Sequence, residues 1–241
     1  MELEIRNAVS HYEELLLAQL LRQQEMEKGG EKKDFSKQEK IRIGLIDGDG
    51  IGPVSMESAR GALSFLLEEE LRSGKAELCN IEGLTIENRL ALEQPVPDDT
   101  LAAIRECDVL INVPVLKVHS GAAVTCCMKN LMGIVSKEYQ RKFHASGLNR
   151  CIAECASVRR PDLNIVDAYR VMTKRGPRGV DASDVRELGY LLAGCDMVAL
   201  DTAGAKMLQV PPRKVGYLAD GEELGLGTRN LDALNIRRIT L

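Results

Sequence analysis

The stretch from Asn112 to Gly133, NVPVLKVHSGAAVTCCMKNLMG, gathers several side chains that could do chemistry. An imidazole can transfer a proton near neutral pH, and ammonium groups can bind carboxylates or phosphates. We therefore predict that His119 transfers a proton and that Lys117 orients a small anionic substrate. We predict a catalytic role for Lys129 in the same site.

Other polar residues in and after this stretch are predicted to bind substrate. Thr125 and Lys129 are four positions apart, which would place both on one face of a helix. Asn130 follows directly, and Arg141 comes later, shortly before a second histidine. We predict that Thr125, Asn130 and Arg141 contact the anion.

Carboxylates further along the chain suggest a metal site. Asp167 follows the strand-like segment LNIV, and Asp201 follows MVAL. Imidazole and carboxylate groups are ligands of divalent metals such as nickel, iron or zinc. We predict that His144, Asp167 and Asp201 hold such a metal. In the alternative interpretation, the two carboxylates cap the helices that follow them, and His119 and His144 are structural.

The elements that would position these residues alternate between strand and helix patterns. PDDTLAAIREC and the segment from Val54 to Ser73 have helical patterns. The alternation predicts an α/β fold with a layered, mainly parallel sheet flanked by helices. Ligands of such sheets bind at the carboxyl ends of the strands, where we place the site. The predicted strands are KIRIGLI, AELCNI, DVLINVP, DLNIVDA, LLAGCDMVALD and NIRRITL.

The beginning of the chain has the pattern of an amphipathic helix followed by a polar linker, GGEKKDFSKQEK. We predict a helical extension and linker over residues 1–39 and a single α/β domain over residues 40–241. The helix could serve for packing or for forming a homo-oligomer. Its apolar positions are Ile5, Val9, Tyr12, Leu16 and Leu20.

Composition excludes several classes of function. Apolar residues make up 44% of the 241 residues, enough for a core, and the net charge is −4 without a basic stripe. Aromatic residues are only 3%, so we expect no nucleic-acid partner. There is no secretory signal pattern, no membrane-span pattern and no C-x-x-C pair among the seven cysteines. We therefore expect a cytoplasmic protein with reduced thiols and no membrane partner.

The segment GDGIGP, from Gly48 to Pro53, and the later PVPDDTLAAIRECDVLI carry one resemblance. Residues 41–114 resemble the start of the isocitrate and isopropylmalate dehydrogenase family. In that family, the glycine-rich turn lies beside the adenosine of the nicotinamide cofactor. The resemblance implies NAD(P) as an alternative cofactor. The residues that would bind it are Gly48, Asp49, Gly50 and Gly52.

A longer resemblance covers about residues 108–236. DVLINVPVLKVH is similar to the pattern D.lIn.PklKtH, and VTCCMKNLMGIV to vTlalKNlmGlv. RPDLNIVDAYRVMTKRGPRG and AGCDMVALDTAGAKML continue the match in the same order. These blocks resemble the domain-of-unknown-function 362 family, which implies a fold and a set of residues but no settled reaction.

A third resemblance rests on a pattern formed by Asp108, Pro114, His119, Gly121, Lys129, Gly133 and His144. It is similar to the nickel-pincer lactate racemase family. The resemblance implies His119 as acid/base, Lys129 as cofactor anchor and His144 as nickel ligand.

Together these observations predict an enzyme that binds a small anion with a metal or a metal-bearing cofactor. Two alternatives remain open. One is an NAD(P)-binding, dehydrogenase-like protein that uses the GDGIGP turn. The other is a non-catalytic binding or assembly subunit.

Overall fold

The computed structural model describes residues 34–45, 52–81, 91, 98–134, 143 and 147–239. The helix predicted at the beginning of the chain lies outside these residues and stays a prediction. Within the linker predicted after it, Asp34 caps the 3-10 turn Phe35–Lys37 by accepting a hydrogen bond from the Ser36 N–H at 3.2 Å.

The described residues form a sheet with helices around it, which confirms the predicted α/β class. The strands are β1 (Ile41–Leu45), β2 (Ala76–Asn80), β3 (Val109–Asn112), β4 (Val115–His119), β5 (Ala123–Thr125), β6 (Leu163–Met172) and β7 (Val185–Gly194). The helices are α1 (Gly52–Leu66), α2 (Glu68–Arg72), α3 (Asp98–Glu106), α4 (Cys127–Asn130), α5 (Leu148–Val158), α6 (Met197–Met207) and α7 (Gly216–Glu223). Five 3-10 turns join them: Phe35–Lys37, Leu131–Ile134, Ala182–Asp184, Pro212–Lys214 and Leu231–Ala233.

The sheet is mostly parallel, as predicted. Its strand order is β2-β1-β3-β6-β4-β5, and β7 pairs with β6. β1 runs parallel to β2 and β3, and β6 runs parallel to β3 and β4. Two antiparallel pairs, β4 with β5 and β6 with β7, complete it. β3 and β4 therefore follow each other along one side of β6, on either side of Pro114.

The larger core lies against β4, β5 and β6 and is formed by α4 to α7 and apolar strand residues. Leu116 and Val166 are fully buried in it. A Cβ at Gly204 would lie 2.8 Å from Leu116 Cδ1, so the absence of a side chain there lets α6 approach β4 closely. A second, smaller core joins β1 to α1 through Ile43 and Leu63.

Two of the predicted strands are wrong. In LLAGCDMVALD, only LLAG belongs to β7, and Met197 begins α6. Asp196 starts this helix, since its carboxylate accepts a hydrogen bond from the Ala199 N–H at 2.8 Å. In NIRRITL, residues 235–239 form no strand, and Ile236 and Ile239 are exposed.

No helix in the part of the chain that the structure describes is long and apolar enough to cross a membrane.

Candidate functional site

The hairpin of β4 and β5 carries three of the residues predicted for the site. Lys117 pairs directly with Thr125 in its register, and His119 lies at the end of β4. The neighbouring side chains of Leu116 and Val124 are fully buried in the larger core. Because side chains alternate between the two faces of a strand, Lys117 and Thr125 lie together on the opposite face.

The predicted helical relationship of Thr125 and Lys129 is wrong, because Thr125 ends β5 and α4 begins only at Cys127. Even so, Thr125 lies beside Lys117. Its side chain is 8% exposed, and its hydroxyl oxygen has no hydrogen-bond partner. An unsatisfied buried hydroxyl costs about 1–3 kcal/mol. The site therefore contains an unfilled hydrogen-bond position next to a cation.

Lys129 is partly buried on α4, within the range at which the charge of Lys117 acts on it. Burial lowers the pKa of Lys129 because the charged ammonium loses hydration, and the positive charge of Lys117 lowers it further. Neither lysine forms an ion pair with a carboxylate of the described residues. The structure thus pairs Lys117 with Thr125, and the charge of Lys117 also acts on Lys129, whose ammonium no described carboxylate neutralises.

His119 closes the β4–β5 turn. Its Nδ1 accepts hydrogen bonds from the backbone N–H groups of Gly121 at 3.0 Å and Ala122 at 3.1 Å. A nitrogen that accepts from two N–H groups carries no proton, so the neutral ring holds its hydrogen on Nε2. A proton could reach Nδ1 only if both backbone bonds were broken. This arrangement favours a structural role, and the proton-transfer role remains a prediction.

Asn130 belongs to a chain of amides that joins α4 to the sheet. Its Nδ2 donates to Asn112 Oδ1 at 2.8 Å. Asn112 Nδ2 donates both to the Cys127 carbonyl at 3.0 Å and to Asn164 Oδ1 at 2.9 Å. Asn164 Nδ2 donates to the Gly194 carbonyl at 3.3 Å. The chain therefore links β3, β6, β7 and α4.

The direction of the hydrogen bonds in this chain of amides follows from the two backbone carbonyls that it contacts. The carbonyls of Cys127 and Gly194 can only accept, so Asn112 and Asn164 must turn their Nδ2 groups toward them. Asn112 Oδ1 is then left to accept from Asn130. As a result, the exposed side chain of Asn130 keeps its own Oδ1 for a partner outside the chain of amides. The predicted role of Asn130 in binding stays a prediction.

Asp201 lies within α6 and is fully buried, so the prediction that it ends a strand is wrong. Its carboxylate accepts hydrogen bonds from the backbone N–H groups of Cys127 at 2.6 Å and Met128 at 3.1 Å. It therefore supplies the hydrogen-bond acceptor that these two N–H groups at the start of α4 need. Burial raises the pKa of Asp201 to about 6, although hydrogen bonds from Cys126 and from the two backbone groups oppose the increase.

Two adjacent thiols lie beside Asp201. Cys126 Sγ and Cys127 Sγ are 3.9 Å apart, and both side chains are fully buried. Burial raises the pKa of Cys126 to about 11 and that of Cys127 well above its usual range. Both thiols are therefore protonated at neutral pH. Tyr217, which is also buried, donates to the Val124 carbonyl at 3.2 Å, and burial raises the pKa of its hydroxyl as well.

The ligand atoms of Cys126, Cys127 and Asp201 all lie within 4.8 Å of one another, which is a spacing that a metal ion could use. A metal would have to displace both thiol protons and compete with the two backbone N–H groups that Asp201 already binds. These costs favour a structural cluster that holds α4 to α6.

The structure does not bring the predicted metal ligands together. Asp167 lies in the middle of β6, where its carboxylate accepts from the Tyr169 N–H at 2.9 Å. Its neighbours Val166 and Ala168 are fully buried in the larger core, so Asp167 points to the other face. Asp201 is buried within that core instead. The two carboxylates are therefore on opposite sides of the sheet.

Several predicted residues cannot be placed. Arg141, His144, Gly48, Asp49 and Gly50 lie outside the described residues. Gly52 begins α1, as expected for the end of a strand-turn-helix unit.

Sequence reasoning missed Asn112 and Asn164, which fix the position of Asn130. A signal was available, because asparagine is disfavoured in strands and each of these lies in an otherwise apolar segment, DVLINVP and DLNIVDA. A buried amide in such a segment must have hydrogen-bond partners.

The comparisons with known proteins agree with the longer resemblance. The family model described as "Domain of unknown function (DUF362)" matches residues 76–206, more than half of the chain. The comparisons give no support to the predicted resemblance of residues 41–114 to the isocitrate and isopropylmalate dehydrogenases. No solved structure matches the chain.

A curated relative is the "Thylakoid-associated protein sll1697" of Synechocystis sp.. It is 34% identical over 127 residues, which represent 50% of this chain and 39% of the relative. The chain thus spans well under half of that protein's length. The relative's name does not support the predicted cytoplasmic location, which stays a prediction.

Proposed function

The chain belongs to the family described as domain of unknown function DUF362, and we propose that it binds a small carboxylate or phosphate anion between Lys117 and Lys129. The observation that carries the proposal is that the positive charge of Lys117 acts on the partly buried Lys129, while neither lysine forms an ion pair with a carboxylate of the described residues. Burial costs the charged Lys129 its hydration, and repulsion from the positive charge of Lys117 adds to that cost. A bound anion would offset both costs.

Two further groups fit an oxyanion. The Thr125 hydroxyl, next to Lys117 in the hairpin, has no hydrogen-bond partner and could donate to a ligand oxygen after rotating about its side-chain bond. Asn130, which follows Lys129, is held in place through Asn112. Its remaining N–H can donate to the ligand, and its Oδ1 can accept from a ligand hydroxyl. These polar groups would distinguish an oxygen-rich ligand from a halide.

The other predicted roles have less support. The Nδ1 atom of His119 is already occupied by the β4–β5 turn. The metal and NAD(P) hypotheses depend largely on residues outside the described ranges, among them His144 and the GDGIGP turn, and they stay predictions.

Thermal unfolding in the presence of phosphate or lactate tests the proposal. A ligand at about ten times its Kd stabilises the folded state by about 1.4 kcal/mol. Lys117→Met and Lys129→Met should lose this stabilisation. Lys214→Met removes an exposed lysine elsewhere and should respond as the wild type does. The control is necessary because phosphate also stabilises proteins through exclusion from their surfaces. Equal stabilisation of all four proteins would contradict the proposal.

A further inference from the structure

We propose that the loop of residues 174–179, KRGPRG, binds a second anionic group beside the one held by Lys117, so that the ligand carries two linked phosphoryl groups. This inference rests on the anion site proposed above and names the class of ligand that the site takes, a diphosphate. Its structural basis is the close approach of this loop to the two residues that adjoin Lys117 in the sheet, Val118 and Met172.

The loop approaches β4 at the residue that follows Lys117. A Cβ at Gly176 would lie 1.9 Å from the Val118 carbonyl oxygen, so only a glycine lets the backbone of the loop come this close. At the other end of the loop, a Cβ at Gly179 would lie 3.0 Å from Met172 Cε. Met172 pairs with Lys117 in register, and paired residues of neighbouring strands project from the same face. The loop therefore borders the face of the sheet that carries Lys117.

The shape of the loop is fixed by hydrogen bonds within its own segment. Arg175 donates from Nε to Asp184 at 2.6 Å and from Nη2 to Asp181 at 2.8 Å. The fully buried Asp184 also accepts from the Val180 N–H at 2.7 Å, and the Gly179 N–H donates to the Arg175 carbonyl at 3.0 Å. Both carboxylates of this segment are thus bound to Arg175. A loop fixed in this way loses little conformational freedom when it binds a ligand.

Two cations of the loop are left for a ligand. Lys174 and Arg178 are exposed, and neither forms an ion pair with a carboxylate in the part of the chain that the structure describes. A guanidinium can donate two parallel hydrogen bonds to one phosphoryl group, and an ammonium adds a point charge. Lys117 and the unpartnered hydroxyl of Thr125 supply a cation and a donor for the other phosphoryl group.

Two sets of donors at adjoining positions fit two linked phosphoryl groups, whereas a single phosphate can contact only one set. Asp167 shares the face of Lys117 but pairs with Val115, on the side of Lys117 away from the loop. Its carboxylate therefore does not oppose a second anionic group next to the loop.

Titration calorimetry of the full-length protein with inorganic phosphate and inorganic diphosphate tests this inference. We expect diphosphate to bind more tightly by a factor of about ten or more, since one further hydrogen bond between charged groups changes affinity by about that factor. Arg178→Gln should remove this advantage and leave the affinity for phosphate unchanged. Arg213→Gln, which removes an exposed arginine in the turn Pro212–Lys214, should bind both anions as the wild type does. The ionic strength is held constant because screening weakens exposed charges.

Modification of arginines by phenylglyoxal gives a second measurement, which uses only the wild-type protein. Diphosphate should slow the modification of Arg178 and leave that of Arg213 unchanged, as located by peptide mass spectrometry. Equal rates for Arg178 with and without diphosphate overturn the inference, as does diphosphate that binds no more tightly than phosphate. If phosphate still binds the wild type and not Lys117→Met, the anion site stands and only the role of the loop is wrong. If neither anion binds, both proposals are wrong.

Discussion

The carboxylate of Asp201 accepts a hydrogen bond from the backbone N–H of Cys127 at 2.6 Å, although the two residues are 74 positions apart in the chain. Through this bond and the one from Met128, α6 provides hydrogen-bond acceptors for two backbone N–H groups at the start of α4. The position of Lys129, two residues further on, therefore depends on a buried carboxylate that is remote in sequence.

The burial of Asp201 predicts a specific dependence of stability on pH. Its pKa in the folded protein, about 6, lies above its ordinary value of 3.8, so between these pH values the folded state binds a proton that the unfolded state lacks. Stability from this group therefore falls as the pH rises through that window. From about pH 5 to about pH 7 the loss amounts to about 1 kcal/mol.

Urea unfolding of the wild type and of Asp201→Asn at both pH values measures this contribution. Subtracting the variant's change from the wild-type change removes the effects of the other carboxylates. The loss should be present in the wild type and absent from Asp201→Asn. Identical changes in the two proteins would contradict the burial of an ionisable Asp201.

The two hydrogen bonds accepted by His119 Nδ1 predict different effects for two amide substitutions. An Asn side chain can place its Oδ1 near the position of Nδ1, whereas a Gln side chain places its oxygen near Nε2. We therefore expect His119→Gln to destabilise the fold by about 1 kcal/mol and His119→Asn by no more than about half of that. Denaturant unfolding measures both. If Gln is tolerated better than Asn, Nδ1 does not hold this turn.

The amide chain predicts that Asn112 is important for stability. Asn112→Ala would leave the Cys127 carbonyl and the Asn164 amide without a buried partner, so we expect a loss of about 2–4 kcal/mol. Asn112→Asp has nearly the same shape but no N–H donors, and it should cost at least as much. Asn235→Ala, at an exposed position, should change stability by less than about 0.5 kcal/mol. A small effect of Asn112→Asp would show that the amide direction is wrong.

The cysteines should differ strongly in their reactivity. Cys126 and Cys127 are fully buried and have raised pKa values, whereas Cys195 is exposed. Because the thiolate is the reactive form, an alkylating reagent should label Cys195 in the folded protein, and Cys126 and Cys127 only after unfolding. Peptide mass spectrometry after a short pulse of reagent distinguishes them. Early labelling of the adjacent pair would instead indicate an accessible, redox-active site.

Sequence patterns predicted the α/β class and most strands because these depend on local alternation of apolar residues. Strand pairs such as β4 with β5 were missed because the hairpin is short and its turn has no glycine or asparagine at the position with positive φ. That position is Ala123, with a φ of 63°. Asp201 was misplaced because MVAL is apolar enough for either a strand or a buried helix, and the Asp196 cap before it decided between them.

Side-chain chemistry alone selected four residues of the candidate site, namely Lys117, Lys129, Thr125 and Asn130. Their mutual placement was not predictable, because it depends on strand register and on hydrogen bonds between residues far apart in the chain. Asp167 illustrates this. The face of the sheet to which it points follows from its buried neighbours on β6 and not from its position near a predicted strand end.

The measurement that tests the anion site most directly is NMR of the protein with its lysines reductively methylated with 13C. We expect the Lys129 signal to titrate below the ordinary pKa of a lysine, and phosphate or lactate to shift the signals of Lys117 and Lys129 while leaving that of the exposed Lys214 unchanged. If Lys129 titrates at the ordinary pKa of a lysine and the anions shift no lysine signal selectively, these lysines form no anion site.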